Sequence, residues 1–176
     1  MGTKTIKEFY QKQEDIGLTG WISLEEARFL KEQAEKLNPG DVYLEIGVAY
    51  GRSLSIVAKY AFTKEVYGVD ILNWKEREDN LKKLKVKANF IEGNSQALAL
   101  TWKKPIDLLF IDGDHTYEGV VKDIDSWLPK VKDGGMVMFH DYCEREPGVM
   151  QAVQFIQGHY RKSGIVGTIY WFTKDD

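Results

Sequence analysis

The sequence predicts an α/β protein with a Rossmann-like, doubly wound and mainly parallel sheet of six or seven strands. Two observations support this prediction. Short apolar runs alternate with amphipathic segments along most of the chain, and the run from Ile106 to Ile111 is apolar enough for a central strand covered on both faces. Because strands alternating with helices build parallel sheets, we expect helices on both faces and a helical extension at the N-terminal end.

Length and composition narrow the class of protein. The chain has 176 residues and 43% hydrophobic residues, which predicts one soluble domain over residues 1–176. Its net charge of −3 gives no electrostatic reason to expect a nucleic-acid or membrane partner. Cys143 is the single cysteine, which excludes an internal disulfide. With no signal peptide and no run of about 18 apolar residues, we expect a cytoplasmic protein and leave homo-oligomerisation open.

The first 40 residues are expected to be helical and to form either a lid or a simple packing segment. Ser23 and Glu26 have the spacing of a capping box, in which the serine caps the helix and the glutamate reaches back. Apolar residues then recur at helical spacing, and Asn38-Pro39-Gly40 is expected to end the helix.

The remaining chain is predicted to alternate between the two kinds of element. Strands are expected at 42–46, 66–69, 88–91, 106–111 and 136–139, with one or two more within 165–172. Helices are expected at 53–60, 74–85, 95–102, about 120–128, and 147 to about 160. In such sheets ligands bind beyond the carboxyl ends of the strands, so residues that follow strands are the candidate site.

A glycine loop follows the first predicted strand. It contains Glu45, Gly47 and Gly51 in the spacing Glu-x-Gly-x-x-x-Gly, which differs from the Gly-x-Gly-x-x-Gly of dinucleotide binders. Glycines let a backbone approach a ligand closely, and free amides at the start of the next helix hold anions. The same glycines could instead serve only a tight turn and helix packing.

Polar residues also end the second and third predicted strands. A carboxylate at Asp70 can accept hydrogen bonds from both ribose hydroxyls of an adenosine-type cofactor, or it can cap a helix. Asn94, Ser95 and Gln96 offer the donors and acceptors that an adenine edge needs. Asn94 or Ser95 could equally be a helix cap.

Acidic residues and histidines end the fourth and fifth predicted strands. Asp112 and His115 follow one strand, and His140 and Asp141 follow the other. Neighbouring strand ends that carry these side chains indicate a metal or acid–base site. Carboxylates suit Mg²⁺, whereas imidazoles favour Mn²⁺, iron or zinc. The alternative is that the aspartates cap helices and His140 packs against the sheet.

These motifs together resemble class I S-adenosylmethionine-dependent methyltransferases. The glycine loop is similar to their first motif, and residues 106–142 resemble the macrocin O-methyltransferase and cephalosporin hydroxylase-like group. The Ser95-Gln96 pair resembles the adenine-proximal segment of catechol O-methyltransferase-like proteins. The resemblance implies that the methionine moiety is surrounded by Gly47, Ala49, Gly51 and Ser53. It also implies that Glu45 lies beneath that moiety and contacts its amino group, directly or through water.

The resemblance also implies a divalent cation, such as Mg²⁺, and a general base. Asp112 maps to the first metal ligand and also borders the cofactor, Asp141 maps to the second, and His115 maps to the base. His140 stands where those enzymes often have another acid, so it is an additional candidate ligand. The lysine base of catechol-type enzymes has no counterpart that we can locate.

The predicted function is methyl transfer from S-adenosylmethionine to a small-molecule acceptor, most simply a hydroxyl. A catalytically silent or hydroxylase-like relative that binds the same cofactor is the alternative. A nicotinamide-dependent oxidoreductase is less well supported. Tyr60 and Lys64 match its Tyr-x-x-x-Lys motif, but they end the first sheet helix, and a catalytic pair is expected much farther along the chain. The strand ends lack the Asp/Asn-Pro-Pro-aromatic motif of nucleic-acid methyltransferases.

Overall fold

The computed structural model describes residues 5–157, 160 and 162–175. The strands are β1 (Tyr43–Ile46), β2 (Val66–Asp70), β3 (Asn89–Glu92), β4 (Ile106–Ile111), β5 (Val131–Phe139), β6 (Ser163–Val166) and β7 (Ile169–Thr173). The helices are α1 (Ile6–Asp15), α2 (Leu24–Ala34), α3 (Arg52–Tyr60), α4 (Lys75–Leu84), α5 (Ser95–Ala99), α6 (Tyr117–Trp127) and α7 (Pro147–Gln157).

The strands form a seven-stranded sheet in the order β3-β2-β1-β4-β5-β7-β6. The strands β1 to β5 pair in parallel, whereas β7 runs antiparallel to both β5 and β6. The strand order reverses between β1 and β4, where Ile46 lies opposite Ile111. This arrangement confirms the predicted doubly wound α/β fold, and it places the topological switch point beside the glycine loop.

Apolar side chains fill both faces of the sheet. One cluster includes Phe9 of α1, Leu30 of α2, Leu54 of α3 and Leu81 of α4. The other cluster is built by α5, α6 and α7 and includes the fully buried Trp127. The sheet therefore has helices on both faces, and the N-terminal helices lie on the same face as the helix that follows the glycine loop.

The N-terminal segment contains two helices, and each begins with a capping box. Ser23 accepts from the amide of Glu26, and Glu26 accepts from the amide of Ser23, as the sequence predicted. Thr5 and Glu8 form the same arrangement in α1. The second helix ends at Ala34, a turn earlier than the expected stop at 38–40. Within the part of the chain that the structure describes, no helix is long and apolar enough to cross a membrane.

The C-terminal third differs from the prediction in extent. β5 begins at Val131 rather than 136, since Val131 already lies opposite Ile106 of β4. The register then shifts so that Met136 lies opposite Leu108, and Gly134 and Gly135 exchange backbone hydrogen bonds with Lys174 after β7. The final segment forms two strands, β6 and β7. The last helix ends at Gln157, and residues 158–159, through which it was expected to continue, lie outside the described residues.

Candidate active site

A cavity of about 610 Å³ opens at the carboxyl ends of the parallel strands. Most of the predicted site residues line it, and they come from the ends of five strands, β1 to β5: Gly47, Ala49, Ser53, Asp70, Asn94, Ser95, Gln96, Asp112, His115, His140 and Asp141. Two predicted residues, Glu45 and Gly51, are not among the described residues that line it. The N-terminal segment adds Thr19 to Ile22, so its connecting stretch forms part of the wall.

The glycine loop touches the loop that follows β4. Gly47 has a φ of +82°, and a Cβ there would lie 2.0 Å from the backbone oxygen of Asp112 and 2.7 Å from the Cα of Gly113. Only glycine therefore fits this position. Gly51, with a φ of +84°, caps the start of α3.

Asp70 stabilises the glycine loop by hydrogen bonds to its backbone. Its Oδ2 accepts hydrogen bonds from the amides of Val48 and Ala49, at 3.0 and 2.8 Å, and its Oδ1 accepts from the amide of Leu72. Ala49 lies between these bonds with a φ of +43°, a left-handed conformation that costs about 1–2 kcal/mol for a residue with a Cβ. The carboxylate therefore fixes a strained loop while still lining the cavity, where it keeps acceptor capacity for further donors.

Glu45, in β1, is completely buried. Its Oε2 accepts from the hydroxyl of Tyr43 and its Oε1 accepts from Ser53, both at 2.6 Å. Burial raises the pKa of Glu45 to about 8, because the hydrogen bonds from Ser53 and Tyr43 only partly offset the lost hydration. Both oxygens of this carboxyl are thus already bonded to neighbouring hydroxyls, and its expected contact with a methionine amino group stays a prediction.

The raised pKa of Glu45 predicts a pH-dependent stability. A carboxyl whose pKa is higher in the folded state favours folding below its ordinary value of 4.5, and this contribution is lost as the pH rises towards 8. The slope from this group is at most about 1.4 kcal/mol per pH unit. We expect Glu45→Gln to remove it, so the free energy of unfolding should decline less between pH 5 and pH 8 in denaturant titrations. The exposed control Glu118→Gln should follow the wild type; a Glu45→Gln profile parallel to the wild type would contradict this expectation.

The segment after β3 is anchored from α6. The hydroxyl of Ser95 and the side-chain nitrogen Nε2 of Gln96 both donate to Oδ1 of Asp123, a residue that is 2% exposed. Asn94 caps α5 by accepting from the amide of Ala97, as one of the two interpretations predicted. All three residues also line the cavity, so these capping and anchoring bonds do not remove them from its wall.

The acidic and histidine side chains converge at the ends of β4 and β5. Nε2 of His115 lies 3.8 Å from Oδ1 of Asp112 and 3.5 Å from Oδ2 of Asp141, while its Nδ1 lies 3.4 Å from Glu146. Hydrogen bonding to Asp112 raises the pKa of His115 against the effect of burial. Asp112, His115 and Asp141 each offer one ligand atom, and these atoms lie within 4.8 Å of one another. Asp141 has a φ of +56°, a conformation that aspartate tolerates better than most residues.

His140 lies behind this cluster rather than within it. Its Nδ1 is 3.3 Å from Oδ1 of Asp112 and 3.1 Å from Oδ2 of Asp141, and its Nε2 is 3.7 Å from Oε2 of Glu26. Burial lowers the pKa of His140, but the three surrounding carboxylates outweigh it and raise the pKa to about 12. The imidazole is therefore a buried ion-pair partner of the two strand-end carboxylates, and it is 3% exposed.

Glu26 is a site residue that the sequence did not reveal. Its carboxylate is 3% exposed and accepts from the amide and hydroxyl of Thr168 in the β6–β7 turn, at 2.7 and 2.9 Å. Burial raises the pKa of Glu26, but His140 and the donors on Thr168 and Ser23 lower it to about 2. The capping-box spacing pointed to its bond with Ser23, and no local signal pointed to His140 or Thr168.

Comparisons with known proteins agree with this geometry. A family model described as a methyltransferase domain matches residues 44–142. The uncharacterized protein R132 of Acanthamoeba polyphaga mimivirus is 37% identical over 128 residues, which cover 65% of this chain and 58% of that protein. This chain thus spans just over half the length of that relative.

Two solved structures share the fold at low sequence identity. The O-methyltransferase from Bacillus cereus in complex with SAH has a TM-score of 0.69 and 15% identity, covering 96% of this chain and 90% of that one. The MycE methyltransferase of the mycinamycin biosynthetic pathway, in complex with Mg and SAH, has a TM-score of 0.68 and 17% identity, covering 99% of this chain and 56% of that one.

The strand order and the glycine loop agree with the fold of these solved structures, and the family match covers more than half of the chain. The chain belongs to the methyltransferase-domain family whose model spans β1 to the residues just after β5.

Proposed function

We propose that this methyltransferase transfers the methyl group of S-adenosylmethionine to a hydroxyl of a small-molecule acceptor. One observation supports this most directly: Gly47 of the cofactor loop packs against the backbone of Asp112, whose side chain belongs to the acid–histidine cluster. A sulfonium held at the loop would therefore lie next to groups that can bind and deprotonate a hydroxyl.

The cofactor is proposed to lie along the strand ends. Its methionine part would contact the loop formed by Gly47, Ala49, Gly51 and Ser53, above Glu45. Its ribose would bind Asp70, which retains acceptor capacity beyond the three amides that it already accepts. Its adenine would face Asn94, Ser95 and Gln96, which share the same cavity wall.

The protein's chemical task is then positioning and proton removal. The sulfonium methyl group is intrinsically electrophilic, so the enzyme must mainly align the acceptor oxygen for in-line attack. His115 is proposed as the general base that accepts the hydroxyl proton, and its placement 3.4 Å from Glu146 and 3.5 Å from Asp141 orients the ring.

A divalent cation fits the donor set on the same wall. Asp112 and Asp141 supply carboxylate oxygens, and with His115 their ligand atoms lie within 4.8 Å of one another. We propose that the two aspartates hold the cation, while His140, whose Nδ1 lies 3.3 and 3.1 Å from their oxygens, positions them from behind. When bound, the cation supplies a Lewis acid that lowers the pKa of the acceptor hydroxyl.

The alternative functions have weaker support. A silent or hydroxylase-like relative is favoured only by His140, which stands where the enzymes that this chain resembles often have another acid. An oxidoreductase would need Tyr60 and Lys64 near the ligand, but neither is among the described residues that line the cavity.

Ligand binding followed by turnover tests the proposal. We expect S-adenosylhomocysteine to bind the purified protein in calorimetry and NADH not to compete. We further expect labelled S-adenosylmethionine to methylate at least one member of a panel of catechols and monosaccharides when Mg²⁺ or Mn²⁺ is present. NADH binding without S-adenosylhomocysteine binding would overturn the cofactor assignment. Binding without transfer to any hydroxyl, under all metals tried, would favour the silent relative.

A further inference from the structure

The inner face of α4 contacts the two loops that flank Asp70. Arg77 donates from Nη1 to the carbonyl oxygen of Ala49 at 3.2 Å and to that of Leu72 at 3.5 Å. One turn further along, the side-chain amide of Asn80 donates to the carbonyl oxygen of Tyr50 at 3.2 Å. The helix therefore binds consecutive carbonyls of the glycine loop and one carbonyl of the loop that follows β2.

Arg77 is an unusual residue to find in this position. Its side chain is completely buried, its guanidinium lies 3.2 Å from the centre of the Phe90 ring, and its Nε has no hydrogen-bond partner among the described residues. Burying a guanidinium is costly unless its hydrogen bonds and charge are compensated. Here most of the compensation comes from backbone oxygens of the two loops, with Asp70 providing a nearby negative charge.

The strained peptide groups of the glycine loop lie between Asp70 and Arg77. Asp70 accepts the amides of Val48 and Ala49, and Arg77 donates to the carbonyl of the same Ala49. The left-handed Ala49 is thus held on its N–H side by an anion and on its C=O side by a cation. Arg77 is not among the described residues that line the cavity, so it acts on the loop rather than on the ligand.

From this geometry we infer that Arg77 is a positioning residue for the cofactor. Arg77 holds the glycine loop and the loop that follows β2 in their binding conformation before the cofactor arrives. This inference rests on the proposed cofactor site. A preorganised loop gains affinity because less ordering is needed on binding. The role requires the forked guanidinium, since Nη1 reaches the two carbonyls while Nη2 donates to Oδ1 of Asn73 and the planar group lies over Phe90.

The test compares cofactor affinity with stability in matched variants. We expect Arg77→Met to weaken S-adenosylhomocysteine binding about 10- to 100-fold in calorimetry, the range expected for losing hydrogen bonds to a charged donor. Arg77→Lys keeps the charge but not the fork, so its affinity should fall between those of wild type and Arg77→Met. Measurements are made at a temperature where circular dichroism shows each variant fully folded.

Two control variants on the same helix separate positioning from general stability. Leu84→Ala removes a buried core side chain at the last residue of α4, one turn beyond Asn80, so it should lower the melting temperature while affinity stays within about threefold of wild type. Lys82→Met changes an exposed charge and should leave both unchanged. Wild-type affinity in folded Arg77→Met, or an equal affinity loss in Leu84→Ala, would overturn the inference. Failure of the wild type itself to bind would instead refute the proposed function.

Discussion

Replacing Gly47 with alanine is expected to abolish cofactor binding and to lower the free energy of unfolding. The new Cβ would lie 2.0 Å from the backbone oxygen of Asp112, so the glycine loop and the loop after β4 must move apart. The φ of +82° adds about 1–2 kcal/mol of strain. We expect the affinity for S-adenosylhomocysteine to fall more than about 100-fold in calorimetry, because both halves of the site shift.

Gly40→Ala is the matched control for this substitution. Gly40 also has a positive φ, of +95°, but a Cβ there meets nothing within 4 Å. It should therefore show the strain alone, as a modest loss of stability with unchanged affinity. If Gly47→Ala behaved like Gly40→Ala in both measurements, the direct contact between the two loops would not contribute to cofactor binding.

Variants of the acid–histidine cluster are expected to separate metal binding from proton removal. Asp141→Asn should weaken Mn²⁺ binding, measured by titration calorimetry, and lower kcat about 10²- to 10³-fold, because a cation ligand is lost. Chelation of the wild type should reproduce the loss of activity, and added metal should reverse it. His115→Gln should lower kcat about 10²- to 10⁴-fold while Mn²⁺ affinity stays within about threefold of the wild type.

The control for these variants is Glu144→Gln, which removes an exposed carboxylate close in sequence to the cluster. It should retain both metal affinity and activity. Full activity of Asp141→Asn and of the chelated wild type would refute metal assistance. Equal loss of Mn²⁺ binding in His115→Gln and Asp141→Asn would assign His115 to the ligand set instead of the role of base.

Local patterns were sufficient to predict most of the fold. The apolar run at 106–111 became β4 with the same bounds, and the glycine spacing placed a loop between β1 and α3. The parallel topology followed from the alternation of strands and helices. The early start of β5 was missed because Asp133-Gly134-Gly135 is typical of a turn, and the backbone bonds that Gly134 and Gly135 make are to the distant Lys174.

The site was predictable where function lies at strand ends, and unpredictable where it depends on contacts between distant segments. Asp112, His115 and Asp141 were expected to converge because neighbouring parallel strands end at one edge, and the structure brings them together. Arg77 belongs to a helix whose sequence shows only a charged pattern, so its burial could not be inferred. Asp123 likewise lies on an amphipathic helix, with nothing local to indicate its bonds to Ser95 and Gln96.

The bond between Glu26 and Thr168 has a consequence for the order in which the protein folds. The two residues are 142 positions apart, so their contact closes most of the chain into a loop and carries a large entropic cost. Such long-range contacts form slowly relative to local helices. During synthesis, α2 can form early, but the Glu26 carboxylate must stay hydrated until the β6–β7 turn emerges. The surroundings of His140 are therefore completed only after the β6–β7 turn has been made, well after the chain that builds the glycine loop.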